Sequence, residues 1–302
     1  MDLHAIHILD GGLASELEAR GADISGPLWS AHVLEDQPQR VLAVHRAYIE
    51  AGAQCIATCS YQVSRMGYAE IGLAPERADA ALLHSVSLAR AAAAEFPHLD
   101  VLVAASLGPY GAALHNGAEY HGSYDCSYAD LVAFHRERIA VLAAAPPSQA
   151  PGILAFETFP SLDEARAACQ ALAPWPHLKA WLSFTCRDQK SVAHGEPLRA
   201  CAAFLDANPQ IAGIGVNCVP PLWVPSLLAE IRAGSAKPVL VYPNSGEGWD
   251  AASRCWTGSG GEPAEFGAQA AAWFAAGAQI VGGCCRTRPA HIHQVALANK
   301  SA

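Results

Sequence analysis

Pro38-Gln-Arg-Val-Leu-Ala-Val-His-Arg-Ala-Tyr-Ile-Glu-Ala-Gly52, followed by Ala53-Gln-Cys-Ile-Ala-Thr-Cys-Ser60, is the stretch that decides the fold. Its first part places Val41, Leu42, Val44, His45, Tyr48 and Ile49 at helical spacing and stops at Gly52. Its second part is a short apolar run, the pattern of a strand buried on both faces. The unit echoes far downstream. Ala275-Ala-Gly-Ala-Gln279 leads into an apolar run much as Glu50-Ala-Gly-Ala-Gln54 does.

Working outward, eight such runs recur, at 6–10, 54–60, 101–108, 152–159, 179–186, 212–219, 238–243 and 279–285. Helical patterns follow at 38–52, 76–95, 128–145, 161–173, 198–207, 224–233, 263–276 and 289–299. The helix at 161 opens with Ser-Leu-Asp-Glu, the capping-box order in which Ser caps the start and Glu reaches back. Eight alternating units in 302 residues predict an α/β fold, a (β/α)8 TIM-type barrel of parallel strands, with 1–302 as one domain. A doubly wound sheet would place a glycine-rich phosphate loop after the first strand, and Asp10-Gly-Gly-Leu13 lacks that spacing. The long segment 108–127, rich in Gly, Tyr and His, is expected as a functional loop at the barrel mouth.

Composition narrows the function. Apolar residues make up 52% of the chain and charged residues 16%, which excludes general disorder. The net charge of −9 repels phosphate backbones and speaks against a nucleic-acid partner. No apolar run reaches the ~18 residues of a membrane span. Residues 1–10 lack a basic-then-apolar leader, so the ten cysteines are expected as reduced thiols in the cytoplasm.

In a barrel the chemistry lies at the carboxyl ends of the strands. Here those ends are polar: Asp10-Gly11-Gly12, Cys59-Ser60-Tyr61, Glu157-Thr158, Asn217-Cys218, Asn244-Ser245-Gly246 and Gly283-Cys284-Cys285. Cys218, Cys284 and Cys285 stand out. Three thiolates with one open position make a catalytic zinc arrangement, and thiolate softness favours zinc over magnesium or calcium. Gly282-Gly283 would let the chain turn closely enough for both adjacent thiols to serve one ion. The alternative is that all three are small buried apolar residues, and spacing alone does not separate the two. Asp10 and Glu157 each end an apolar strand, where a carboxylate is costly unless paired. They could bind a substrate ammonium together, or one could merely shape a turn. Gly11 and Gly12 would let backbone amides approach a carboxylate. His291 and His293 read as solvated surface.

The order Asp10-Gly-Gly, Gly215-Val-Asn-Cys218 and Gly282-Gly-Cys-Cys-Arg286 resembles the homocysteine S-methyltransferase family. The likeness is to its bacterial S-methylmethionine-dependent branch, through Leu28-Trp-Ser-Ala31, Ser60-Tyr-Gln62, Leu107-Gly-Pro-Tyr-Gly111, Phe156-Glu-Thr158 and Val241-Tyr-Pro-Asn-Ser-Gly-Glu247. The resemblance implies a (β/α)8 barrel with Zn2+ held by Cys218, Cys284 and Cys285, and the homocysteine thiolate as fourth ligand. It implies Glu157, with Asp10 beside it, at the homocysteine amino group, and backbone groups of Gly11, Gly12 and Leu13 at its carboxylate. The expected partners are homocysteine and a sulfonium methyl donor: S-methylmethionine first, S-adenosylmethionine second, betaine a distant third. Tyr61, Tyr110 and Trp256 are donor-side candidates through their aromatic faces, with plain packing as the alternative. A zinc hydrolase on the same barrel would draw on His ligands, and no His ends a strand. A non-catalytic zinc or thiol-binding protein would not need six polar strand ends. Oligomeric state is not legible here.

Overall fold

The computed structural model describes residues 3–26, 30–250, 255–257 and 261–300, with backbone alone at 248–250 and 255–257. Its strands are β1 (Cys55–Ala57), β2 (Leu102–Leu107), β3 (Ile153–Phe159), β4 (Ala180–Phe184), β5 (Ile211–Asn217), β6 (Val239–Tyr242), β7 (Gly248–Asp250), β8 (Cys255–Thr257) and β9 (Ile280–Val281). Seven of them form one parallel sheet in the order β1-β2-β3-β4-β5-β6-β9. β7 and β8 form a separate antiparallel hairpin. Helices follow β2 to β5 and β9 in turn, at Tyr128–Ala143, Leu162–Leu172, Leu198–Asp206, Val224–Gly234 and Pro289–Asn299.

This corrects the expected closed eight-stranded barrel: the sheet is open and curled, with seven strands. The first run, 6–10, makes only one-residue bridges, Ile8 to Val281 and Leu9 to Cys55. The reason is a side chain distant in sequence. The Gln54 side chain accepts the amides of His7 (2.8 Å) and Ile8 (3.2 Å), so those amides do not enter a strand ladder. Leu13 already begins the next helix.

The period of two along each strand places the site. On the inner face of the curl, Leu102, Ala104, Ile153, Ala155, Trp181, Leu240 and Tyr242 belong to one buried cluster. Continuing by twos toward the carboxyl ends brings Ser106, Glu157, Ser183 and Asn217 to the same face. An apolar floor thus gives way to a polar rim within one or two residues. The outer face packs on the helices through a larger cluster that includes Val103, Leu154, Phe156, Leu182, Ile214 and Val241. At about 25 cal/mol per Å2 of apolar surface removed from water, each such side chain contributes roughly 1.5–3 kcal/mol, which is why both faces of these strands are apolar. No helix among the described residues is long and apolar enough to cross a membrane.

Candidate metal and substrate site

The thiols come together at the rim. The Sγ atoms of Cys218, Cys284 and Cys285 all lie within 4.8 Å of one another. Cys285 is 3.9 Å from Cys218 and 4.0 Å from Cys284. With Zn–S bonds of about 2.3 Å, tetrahedral ligands sit about 3.8 Å apart, which the two Cys285 separations match. Cys218 and Cys284 have their sulfurs in contact, with Cα atoms 5.6 Å apart. That departs from the expectation of ten free thiols, and only the reduced pair could ligate. Burial pushes the Cys285 thiol up to about 11. Without a cation it is therefore a neutral thiol at pH 7, and a metal is what would draw off its proton.

Backbone geometry aims these groups. Cys218 (φ 52°) follows β5 in the left-handed region, as does Arg286 (φ 66°) after Cys285. The Cys284 turn is stitched to its neighbours by Gly283 N–H to Asp10 O (3.0 Å) and Cys284 N–H to Pro243 O (2.8 Å). Gly283 is needed there, since a Cβ would meet the Thr287 Cβ at 2.6 Å. Thr158 is a β-branched residue at φ 63°, a conformation that persists only when its surroundings enforce it. Asn217 enforces it: Thr158 N–H donates to Asn217 Oδ1 (2.8 Å) and Asn217 Nδ2 donates to Thr158 Oγ1 (2.7 Å). The resulting bulge shifts the β3–β4 register between Phe156 and Phe159. It lets the consecutive residues Glu157 and Thr158 both serve the inner side. Thr158 Oγ1 donates toward Cys218 Sγ at 3.8 Å.

The carboxylates sit beside the thiols. Glu157 is buried and accepts from Ser106 Oγ. Burial raises it to about 7 against the opposing hydrogen bonds of Ser106 and Tyr242. Asp10 is raised well above the carboxylate range, first by burial and then by the charge of Glu157, while the Ala57 amide (2.8 Å) opposes. No cationic side chain is among the groups perturbing either one. Two such acids could receive a cation brought from outside.

Other expected residues distribute unevenly. The Gly12 amide is taken by Thr287 Oγ1 (3.0 Å), leaving the amides of Gly11 and Leu13 without a hydrogen bond among the described residues. Tyr61 is near the thiols, its hydroxyl sharing a hydrogen bond with Thr158. The Tyr110 ring packs on Tyr124 and Phe134, with centroids 5.4 and 5.3 Å away. The Trp256 side chain lies outside the described residues. His293 is exposed, but His291 is buried, with its ring bonded to Gly261 O (3.0 Å) and the Arg288 amide (3.1 Å), which corrects its surface reading. Glu164 does not reach back to cap its helix. Its buried carboxylate instead takes the Tyr110 amide, the Tyr124 hydroxyl (2.9 Å) and His135 (3.1 Å), which pins the 108–127 segment.

Ser106, Tyr242 and Glu119 escaped the sequence reading. Ser106 and Tyr242 lie two residues past Ala104 and Leu240, so alternation could have found them. Glu119 comes from the 108–127 segment, and burial pushes its carboxyl up to about 7.

Fold and site together define a parallel α/β protein with a three-thiolate metal centre at the carboxyl ends of its strands. The particular family follows from comparison. Residues 7–298 match the family model described as homocysteine S-methyltransferase. The chain is 40% identical to the homocysteine S-methyltransferase YbgG of Bacillus subtilis (strain 168), covering 98% of this chain and 95% of that one. It is 42% identical to the homocysteine S-methyltransferase of Escherichia coli (strain K12), over 97% and 94%. It superposes on the metallated form of the Escherichia coli homocysteine methyltransferase MmuM with a TM-score of 0.84 at 39% identity, over 97% and 96%. The chain belongs to the homocysteine S-methyltransferase family.

Proposed function

We propose that this protein moves a methyl group from a sulfonium donor, S-methylmethionine first, to the thiolate of L-homocysteine, giving methionine. The observation that carries the reading is the convergence of three thiols within 4.8 Å beside two buried, cation-free acids. Cys218, Cys284 and Cys285 would hold zinc. Bound zinc supplies the Lewis acidity that keeps the homocysteine sulfur deprotonated at neutral pH.

This chain's own groups do the positioning. Glu157 and Asp10 take the homocysteine ammonium, which offsets the cost of burying both acids. The amides of Gly11 and Leu13 face its carboxylate. The Asn217–Thr158 clamp fixes the Cys218 side of the thiol cluster. The acceptor sulfur then forms a bond to the donor methyl as the donor's S–CH3 bond breaks, and that electron pair returns to the donor sulfur. The sulfonium charge is lost and no proton moves, so the protein's task is in-line alignment. We read 1–302 as one unit working in the cytoplasm, where a reducing environment keeps the thiols free.

The test is a donor panel. Reduced, zinc-loaded protein with homocysteine is offered S-methylmethionine, S-adenosylmethionine or betaine, and methionine is measured. S-methylmethionine should give the highest kcat/KM. Turnover with betaine alone would overturn the donor assignment.

A further inference from the structure

The segment joining β2 to the helix Tyr128–Ala143 folds back over the rim. Its Ala118–Tyr120 turn packs against β3, the strand of Glu157 and Thr158. Glu164 anchors this segment at Tyr110 and Tyr124, and the α-carbon of Gly122 lies against Pro160 and His194. On this turn Glu119 holds a buried carboxylate oxygen, Oε2, with no hydrogen-bond partner. Among the described residues, the one hydrogen bond opposing its burial is from its own amide. Its charge acts on Tyr61, Tyr120, Tyr124 and Cys285, so it faces the thiol cluster, where Arg286 acts on Cys285 in the opposite sense. Tyr120 beside it exposes 46% of its surface, which places the pair at an opening rather than in sealed core.

A buried carboxylate oxygen with no donor is costly, and what repays it is an N–H donor carrying positive charge. The homocysteine ammonium is already matched to Glu157 and Asp10. A simple sulfonium has charge but no N–H to offer. We infer that Glu119 binds the ammonium of the methyl donor and so selects sulfoniums that are amino acids. This rests on the methyl-transfer reading above and names the donor's recognition group within it.

The experiment compares wild type with Glu119→Gln and Glu119→Asp, all zinc-loaded and reduced. S-methylmethionine and dimethylsulfonioacetate, a sulfonium with no amino group, are the two donors. Calorimetry measures S-methylmethionine binding, and methionine formation gives KM and kcat. Loss of a charge-assisted hydrogen bond should weaken S-methylmethionine binding and raise its KM by about tenfold or more in Glu119→Gln, with partial recovery in Glu119→Asp. The KM for dimethylsulfonioacetate and the affinity for homocysteine should not change. Equal effects on both donors, or none on either, overturn the assignment to Glu119 while leaving the methyl-transfer reading in place. Wild-type protein that binds no S-methylmethionine overturns the inference. Wild-type protein that binds it without turnover overturns the methyl-transfer reading instead.

Discussion

Replacing Glu157 by Gln should stabilise the fold while it damages the function. The carboxyl is raised by burial from its ordinary 4.5 to about 7. At ~1.36 kcal/mol per pH unit, the ionised form costs the folded protein about 3 kcal/mol. The unfolded chain releases this proton near 4.5 and the folded chain near 7, so the penalty is absent below 4.5 and complete above 7. Gln keeps the shape and can still accept from Ser106, but carries no charge. The zinc-free variant should melt roughly 6 °C above wild type at pH 8, taking ~2 °C per kcal/mol for a domain of this size. The gap should shrink to below ~1 kcal/mol at pH 5. Homocysteine affinity of the zinc-loaded variant should fall by at least about 30-fold, the lower bound for removing one partner of a buried charge pair. Melting curves at the two pH values and calorimetric titration of homocysteine read both effects. A pH-independent gap, or homocysteine binding left unchanged, would refute the placement of a strained carboxylate at the ammonium site.

Cys285→Ser and Cys284→Ser should each lower zinc content and abolish methyl transfer; a zinc-replete, fully active variant at either position contradicts the ligand assignment. Gly283→Ala should displace the Cys284 turn, since the new methyl meets Thr287 Cβ at 2.6 Å, and metal analysis should find less zinc than in wild type. His45 is fully buried with neither ring nitrogen bonded, and burial holds it down at about 4, against 6.5 in the unfolded chain. Its contribution is intact above 6.5 and lost as pH falls toward 4, costing about 2 kcal/mol between pH 7 and 5. Urea melts of His45→Phe should lack that part of the acid sensitivity, and identical pH slopes in variant and wild type would count against it.

Seven of the eight expected runs form the strands of the parallel sheet, legible because burial on both faces leaves continuous apolar runs, as in 153–156 and 239–241. The first run has the same signature yet forms only two bridges, because the Gln54 side chain takes its amides. A side-chain competitor 46 residues away leaves no local trace. Cys218, Cys284 and Cys285 were legible as a possible set from their place at strand ends, and only the fold brings their sulfurs within reach. The bulge at Thr158 was not legible, since a β-branched residue at φ 63° runs against local preference and depends on Asn217. Ser-Leu-Asp-Glu164 read as a cap, and Ser161 does cap the helix, but Glu164 found stronger partners in Tyr124 and His135. The 108–127 segment was legible as a loop at the mouth, but the packing of its Ala118–Tyr120 turn against β3, which buries Glu119, is tertiary.

The most direct measurement is methionine formation from homocysteine by reduced, zinc-loaded protein, with S-methylmethionine as the only donor, in the presence and absence of a zinc chelator. The expected result is chelator-sensitive turnover yielding two methionines for each donor consumed, one from the methylated acceptor and one from the demethylated donor. Turnover that survives complete removal of zinc would contradict the account.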